Sequence, residues 1–402
     1  MESKKPKVFV GLSGGVDSSV SLALLKEAGF DVTGVFLKVW HPEFLPCDWK
    51  EERRSAMKVC AILDVPFITI DCEKEYKKEV VDYMISEYKN GRTPNPDVFC
   101  NKYVKFGIFL DKAKEMGADF IATGHYVKSL VFDKSLSPQE VSENGYFSAE
   151  KFLVFAPSRS QCFRNLLSQQ DLSKYRFELY ESNDKNKDQS YFLYTLNQEQ
   201  LSKTLFPVGH LTKPEVRKLA EKFGLPTATK KDSQGLCFIG KVDMKDFLKH
   251  FIETKKGDVL NSGGEVIGIH DGALFYTIGQ RHGFTITKKT PSDPSFFVVA
   301  KDTEKNTITV ADKETQKNLV FNTKEVFIKD LHFIDGVERA FPLDCQVRIR
   351  YRQEKQNCKV EKENNGFKIY FEKAQNGVAS GQSAVLYLGE ICLGGGIMEL
   401  IF

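Results

Sequence analysis

The chain has little tryptophan (2), methionine (6) or histidine (7) among its 402 residues. No apolar run approaches the roughly 18 residues that a membrane-spanning helix needs, so no membrane partner is expected. Val8–Leu12, after a charged start, is too short for the apolar core of a secretory signal. No two cysteines have C-x-x-C spacing, which argues against a zinc ribbon or a thioredoxin-like redox motif. No metal site is expected. There is no internal repeat to suggest a solenoid or propeller. Charge of one sign is also missing: 57 Lys and Arg against 54 Asp and Glu leave +3. That excludes a histone-like protein but permits a local nucleic-acid patch. With 41% hydrophobic and 28% charged residues, disorder of the whole chain is excluded.

Nine cysteines are present: Cys47, Cys60, Cys72, Cys100, Cys162, Cys237, Cys345, Cys358 and Cys392. Their odd number and low density do not suit a disulfide scaffold. A reduced, cytoplasmic, soluble protein is expected. At roughly 100–200 residues per domain, the length suggests two to four domains.

The first part alternates strand and helix signals. Strands are predicted at Lys7–Leu12, Val32–Val39, Pro66–Ile70 and Asp119–Thr123. Helices are predicted at Asp17–Ala28, Asp48–Leu63, Glu73–Tyr88, Lys102–Met116, Gln198–Leu205 and Thr212–Phe223, the last with a capping box at Thr212-Lys-Pro-Glu215. This order predicts a parallel sheet wrapped by helices. Val127–Asn186 interrupts it with a polar segment, read as an appended or partly mobile insertion with strand content near Lys151–Phe155. Gly257–Gly283 reads as a small β-domain. From about Val320 the chain reads as strands at Val347–Tyr351, Phe367–Phe371, Ser383–Tyr387 and Ile391–Met398. The expected division is an α/β domain to residue 240, a small β-rich domain over 241–313 and a β-barrel over 320–402.

The sharpest motif is Gly11-Leu12-Ser13-Gly14-Gly15-Val16-Asp17-Ser18-Ser19, between the first strand and the first helix. Its glycines let backbone N–H groups turn to a ligand, and the helix N-terminus adds positive potential, so it suits a phosphate. The serines add hydroxyl donors, and Asp17 can cap the helix or help to hold a cation beside the phosphates. It lacks the Gly-Lys-Ser/Thr of Walker A and is not G-x-G-x-x-G. The string resembles the pyrophosphate loop of the ATP pyrophosphatases, which cleave ATP between its α and β phosphates and transfer adenylate to an oxygen.

Gly91-Arg-Thr-Pro-Asn-Pro-Asp-Val-Phe-Cys100-Asn101 alternates prolines with polar residues, which predicts a stiff, extended loop rather than a helix. It suits an active-site loop and a structural turn with a buried thiol equally. Lys230–Gly240 sets Cys237 near Lys230 and Lys231, cations that would favour its thiolate. A strand end with a core cysteine fits that string as well.

These strings, with Ala122-Thr-Gly-His-Tyr126, Lys187–Phe192, Thr277–Gly283 and Gly381-Gln-Ser-Ala384, occur in one order along nearly all of the chain outside the insertion. Together they closely resemble the tRNA-specific 2-thiouridylase family, members of the pyrophosphate-loop superfamily. The resemblance implies a parallel-sheet ATP pyrophosphatase domain, a small β-rich middle domain and a C-terminal β-barrel. It implies 2-thiolation of the wobble uridine in tRNAs for glutamate, glutamine and lysine. ATP with Mg²⁺ would adenylate the C2 oxygen, held by Gly11, Leu12, Ser13, Gly14, Gly15, Val16, Asp17 and Ser18, with Leu37 and Gly124 on the adenine side.

By the same resemblance, Cys237 carries sulfur as a persulfide received from a relay protein or a cysteine desulfurase. Cys100 attacks that persulfide and is left in a Cys100–Cys237 disulfide; direct attack by the persulfide is the other family proposal. Asp97 serves as acid and base. Asn95, Pro96, Asp97, His125, Lys187, Asp188, Gln189 and Gln382 would meet the tRNA, together with Arg350 and Tyr351. Gln346–Val360 holds Arg348, Arg350, Arg352, Lys355 and Lys359 against Glu354. On a strand the three arginines would share one face, to bind phosphate or simply to face solvent. The long segment after Tyr126 departs from the family pattern. Two other readings are an ATP-dependent enzyme with a different acceptor, against which the two cysteine motifs count, and a tRNA-binding protein with a vestigial loop.

Overall fold

The computed structural model describes residues 5–45, 49–133, 175–231, 237, 243–287, 295–312 and 323–399. Strands β1 (Lys7–Gly11), β2 (Asp31–Lys38), β3 (Phe67–Asp71) and β4 (Phe120–Ala122) pair in parallel. Val8, Phe9 and Val10 are all buried, as expected of a strand covered on both faces. A hairpin follows, β5 (Val127–Asp133) and β6 (Tyr175–Glu181), and then β7 (Thr204–Leu205) joins the parallel sheet beside β4. The sheet order is β3-β2-β1-β4-β7. The chain reverses direction across the sheet between β1 and β4. The carboxyl ends of those two strands therefore flank a crevice, the usual place for a ligand in an open α/β sheet.

Helix α1 (Val16–Glu27) leaves β1 through the glycine-rich turn, and α2 (Trp49–Ile62) links β2 to β3. The capping box forms as the sequence indicates: Thr212 N–H donates to Glu215 Oε2 at 2.7 Å, opening helix Lys213–Lys222. Some expectations change. The Gly91–Asn101 string is extended only to Asn95, because Pro96 occupies the first helical position, where its missing N–H costs no hydrogen bond. Thr204–Leu205, read as the end of a helix, is a strand drawn into the sheet edge. The insertion begins and ends as the β5–β6 hairpin; the strand expected near Lys151–Phe155 lies outside the described residues.

The middle domain is a five-stranded sheet: β8 (Gly257–Leu260), β9 (Val266–His270), β10 (Phe284–Ile286), β11 (Phe296–Asp302) and β12 (Thr307–Asp312). In the C-terminal region are β13 (Thr323–Ile328), β14 (His332–Phe333), β15 (Leu343–Arg348), β16 (Gln356–Glu363), β17 (Gly366–Gln375), β18 (Ser383–Leu388) and β19 (Ile391–Glu399). β13 pairs with both β17 and β19, which closes six of these strands into a barrel. Val347, Val360, Ile369 and Met398 lie in its core. The β5–β6 hairpin continues the same sheet, with Tyr180 opposite Ile391 and Leu179 opposite Cys392.

The basic segment is built differently from the sequence expectation. The strand stops at Arg348, and Arg352 turns the chain at φ 62°, so the three arginines do not share a strand face. Arg348 is directed inward, between Glu181 (2.8 Å) and Asp188 (2.8 Å), carboxylates whose side chains are 3% and 2% exposed. Lys355 also reaches Glu181, at 2.9 Å. Two of the five cations therefore tie the barrel to the hairpin and to the Lys187–Phe192 motif rather than facing solvent. Breaking a buried pair leaves an uncompensated charge. Arg348→Met is expected to destabilise the chain by about 3 kcal/mol, measured by urea denaturation; a change within about 0.5 kcal/mol, the range of an ordinary surface substitution, would show that Arg348 is not a structural tie.

Candidate active site

At the crevice between β1 and β4 lies a cleft of about 460 Å³. Its walls include Gly11, Leu12, Ser13, Gly15, Val16, Asp17, Ser18, Leu37 and Gly124. Gly14 is set back from it. It has φ 72°, and a Cβ there would stand 2.6 Å from the Glu52 carbonyl oxygen. Only glycine fits this turn. Gly124 is equally constrained, since a Cβ would stand 2.6 Å from the Ser18 nitrogen. Helix α1 starts without a side-chain cap at Gly15, so its N-terminal dipole faces the cleft.

Asp17 neither caps the helix nor stands open to a cation. Lys213 Nζ grips both of its oxygens, at 2.7 and 2.8 Å, and the Tyr126 hydroxyl donates to Oδ1 at 2.7 Å. Gln189 accepts from the Tyr126 N–H at 2.9 Å, and Tyr126 carbonyl accepts from the Gln189 N–H at 3.0 Å. The glycine-rich loop, the Gly124–Tyr126 turn and the Lys187–Phe192 motif are thus one hydrogen-bonded unit. Lys213 was not legible as a site residue, because in sequence it reads as a solvated lysine opening an amphipathic helix.

At the other end of the cleft the two thiols meet. Cys100 Sγ lies 3.4 Å from Cys237 Sγ, a hydrogen-bonded rather than a disulfide distance. Cys100 is fully buried, and Cys237 is partly exposed on the cleft wall. The Cys237 N–H donates to Asp97 Oδ1 at 3.2 Å, and its carbonyl accepts from the Tyr76 hydroxyl at 2.7 Å. Lys105 stands beside the pair and hydrogen-bonds to Cys237. The hydrogen bond from Cys100 lowers the Cys237 pKa, burial opposes it and Lys105 lowers it further; the result is below the ordinary thiol value. Burial and the Cys237 neighbour push Cys100 well above that value. Burial also raises the Asp97 carboxyl, against Lys105 and the Cys237 N–H. The cation at the thiols is therefore not one of the lysines adjacent in sequence. Lys230 instead donates to the Gly14 carbonyl at 3.0 Å, and Lys231 lines the cleft.

Asp97, His125, Lys187, Gln189 and Tyr351 also line the cleft, with Arg352 at its rim. Asn95, Pro96, Asp188, Arg350 and Gln382 do not. Asn95 hydrogen-bonds to Tyr191, and Gln382 Nε2 donates to the Thr93 and Pro94 carbonyls at 3.0 and 3.1 Å. Thr93 N–H donates to the Ser380 carbonyl at 2.8 Å, and its hydroxyl lies 3.2 Å from that of Thr277. The Arg92–Asn95 stretch is thereby fastened to the middle domain and to the barrel. Arg350 is exposed, and its guanidinium donates to the Gly377 carbonyl at 2.7 Å. Asp188 is a buried acceptor for Ser182, Ser190 and Arg348, which leaves no open edge for a ligand.

A glycine-rich loop joined by a cleft to two adjacent thiols, on an open parallel sheet followed by two β-modules, places the chain among multidomain α/β proteins with a loop–thiol cleft. Comparison with known proteins narrows it. The chain matches the family descriptions "tRNA methyl transferase HUP domain" over 6–150 and 161–241, "tRNA methyl transferase PRC-barrel domain" over 245–312 and "aminomethyltransferase beta-barrel domain" over 323–398. It is 39% identical to the tRNA-specific 2-thiouridylase MnmA of Streptococcus thermophilus over 401 residues, 99% of this chain and 96% of that one. It is 40% identical to the MnmA of Stutzerimonas stutzeri over 399 residues, 98% of this chain and 95% of the other. The chain belongs to the tRNA-specific 2-thiouridylase family, whose members are tRNA sulfurtransferases. Among solved structures, the U34-tRNA thiolase NcsA of Methanococcus maripaludis overlaps 62% of this chain and 65% of its own, with 18% identity and a TM-score of 0.33, too distant to support an argument.

The thiol environments differ enough to be read by alkylation. Burial pushes Cys60 and Cys72 up to about 12, and raises Cys392 further. Iodoacetamide at neutral pH is expected to label Cys237 first among the described cysteines, with Cys60, Cys72, Cys100 and Cys392 modified only on unfolding. Peptide mass spectrometry reads the order; labelling of Cys100 ahead of Cys237 would contradict this arrangement.

Proposed function

We propose that this chain replaces oxygen by sulfur at C2 of the wobble uridine of tRNA, using ATP and a persulfide donor. The observation that carries the reading is the Cys100–Cys237 approach at 3.4 Å in the same cleft as the glycine-rich loop. One cleft would thereby serve both requirements of the exchange, an anion cradle at the loop and a sulfur relay at the thiols. The loop fits a nucleotide: Gly14 and Gly124 are held to glycine by contacts under 3 Å, and the α1 dipole is uncapped by a side chain. ATP held there would supply adenylate to the C2 oxygen, converting a poor leaving group into a good one and releasing pyrophosphate. Mg²⁺ would be carried on the phosphates, since both Asp17 oxygens are engaged by Lys213.

The protein's own part is the sulfur. A thiolate at Cys237 attacks the outer sulfur of the donor persulfide; the donor's S–S bond breaks, its thiolate leaves, and Cys237 becomes the persulfide. Cys100, as thiolate, then attacks the inner sulfur, Sγ of Cys237. A Cys100–Cys237 bond forms, the bond to the outer sulfur breaks, and hydrosulfide leaves with the electron pair to displace AMP from the base. Asp97, beside both thiols, takes the Cys100 proton. A dithiol reductant reopens the disulfide. The target base must leave the anticodon stack to enter the cleft, where Lys187, Gln189, His125 and Tyr351 stand, with Asn95, Pro96, Asp188, Arg350 and Gln382 supporting or flanking it. Glutamate, glutamine and lysine tRNAs are the acceptors expected.

Incubation with ATP, Mg²⁺, a persulfide donor and substrate tRNA is expected to yield 2-thiouridine by nucleoside mass spectrometry. None should form with Cys237→Ser. Full activity of that variant would end the carrier assignment, and an unchanged rate for Cys100→Ala would end the nucleophile assignment. Gly124→Ala is expected to weaken ATP binding at least about tenfold by displacing phosphate-facing donors, measured by calorimetry; wild-type affinity would detach the loop from ATP.

A further inference from the structure

The helix that carries Cys100 is not α-helical where it passes the site. Pro96–Phe99 is α-helical, Cys100–Ile108 is a π-helix, and Phe109–Glu115 returns to α. In an α-helix, with about 100° per residue, a five-residue step lands about 140° around the axis. With i→i+5 hydrogen bonding the helix is wider and turns less per residue, so residue i+5 lies closer in angle to residue i. Lys105 stands in that relation to Cys100. The π-register thus turns Lys105 toward the side of the helix that carries Cys100.

Lys105 is held there from both sides. Its ammonium hydrogen-bonds to Cys237 and lies in the field of Cys100 and Asp97. On its other side His125 Nε2 is 3.5 Å away, while His125 Nδ1 is 2.8 Å from the Thr123 hydroxyl. His125 is 7% exposed; burial and then Lys105 drive its pKa well below the ordinary value, so the ring is neutral. A neutral ring that accepts at Nε2 donates at Nδ1 to Thr123. His125 is thus placed to orient Lys105.

We propose that Lys105 is a catalytic residue of sulfur transfer, holding Cys237 as an anion for attack on the donor and then stabilising the hydrosulfide that leaves it. The inference rests on Cys237 being the sulfur carrier. In the release step the charge passes from the Cys100 thiolate to the departing outer sulfur as one S–S bond forms and another breaks. Lys105 neither gains nor loses a proton; it stays beside the charge at both ends of the step. A preorganised cation beside the reacting sulfurs acts in this way without reorganisation.

The test is the pH dependence of Cys237 alkylation in the full-length chain, resolved by peptide mass spectrometry. Among the described residues, the titratable and charged groups facing Cys237 are Cys100, Lys105, Asp97 and Tyr76, and Asp17, Glu52, His125, Lys187, Lys231 and Arg352 share the cleft. Lys105→Met is expected to move the midpoint up by about one unit, slowing alkylation at pH 7 about tenfold, whereas Lys105→Arg restores most of the rate. Should the apolar variant not fold, Lys105→Gln gives the same readout with a neutral polar chain. An unchanged midpoint in a folded neutral variant overturns the proposal. If the wild-type chain forms no 2-thiouridine, the parent reading fails while this titration still reports on Lys105; an unchanged midpoint beside an active wild type ends this proposal alone.

Discussion

The hydrogen bond between the Cys100 and Cys237 sulfurs joins two segments that reach the site independently, and the surrounding structure serves to make their approach possible. Cys100 arrives on a helix after β3, and Cys237 follows the helix Lys213–Lys222. Neither thiol could be held close to the other as an anion without a compensating cation, because burial of an unpaired charge is strongly unfavourable. The Cys237 peptide is gripped at both ends, by Asp97 at its N–H and Tyr76 at its carbonyl. That fixes the sulfur while leaving its outer side toward the cleft. The asymmetry between the thiols follows: the one that receives the hydrogen bond has its pKa lowered, and the fully buried one, its donor, has its pKa raised.

The β-modules are part of this construction. A Thr-Pro-Asn-Pro stretch has few N–H groups and makes little internal structure. Its Thr93 and Pro94 carbonyls are satisfied by Gln382, its Thr93 N–H by the Ser380 carbonyl and its Thr93 hydroxyl by that of Thr277. The barrel and the middle domain therefore set the position of Asp97 and Cys100 through the segment before them. The β5–β6 hairpin makes a second connection, since it leaves the parallel sheet beside Gly124 and ends in the barrel sheet. Arg348 between Glu181 and Asp188 locks that second path. A nucleic acid bound across the barrel would thus sit on a surface fixed relative to the thiols.

Where local pattern and tertiary environment agree, the sequence was legible. Val8–Val10 announced a doubly covered strand, Thr212–Glu215 a capped helix and Ser383–Tyr387 a barrel strand. The loop Gly11–Ser19 was legible because glycine at a positive φ is a local necessity. The motif Lys187–Phe192 was less so. Asp188 reads as a polar residue for a ligand, but Arg348, far away in sequence, takes it as a structural partner. Arg348, Arg350 and Arg352 show the same limit, because alternation predicts a common face only if the strand continues, and a turn at Arg352 ends it.

The sequence by itself determined the glycine-rich loop between the first strand and the first helix and most of the order of strands and helices, which follow from short-range rules: periodicity, glycine conformation and caps. The two thiols were marked by the family resemblance, since each of their strings suited a core cysteine equally well. The tertiary structure alone decided the electrostatics of those thiols. Lys230 and Lys231 are near Cys237 in the chain, yet the cation at its sulfur is Lys105. A π-turn brings Lys105 round the helix and His125 faces its ammonium. Charge acts through distance in space, and that distance is set by helix register and by packing between segments that no local pattern encodes.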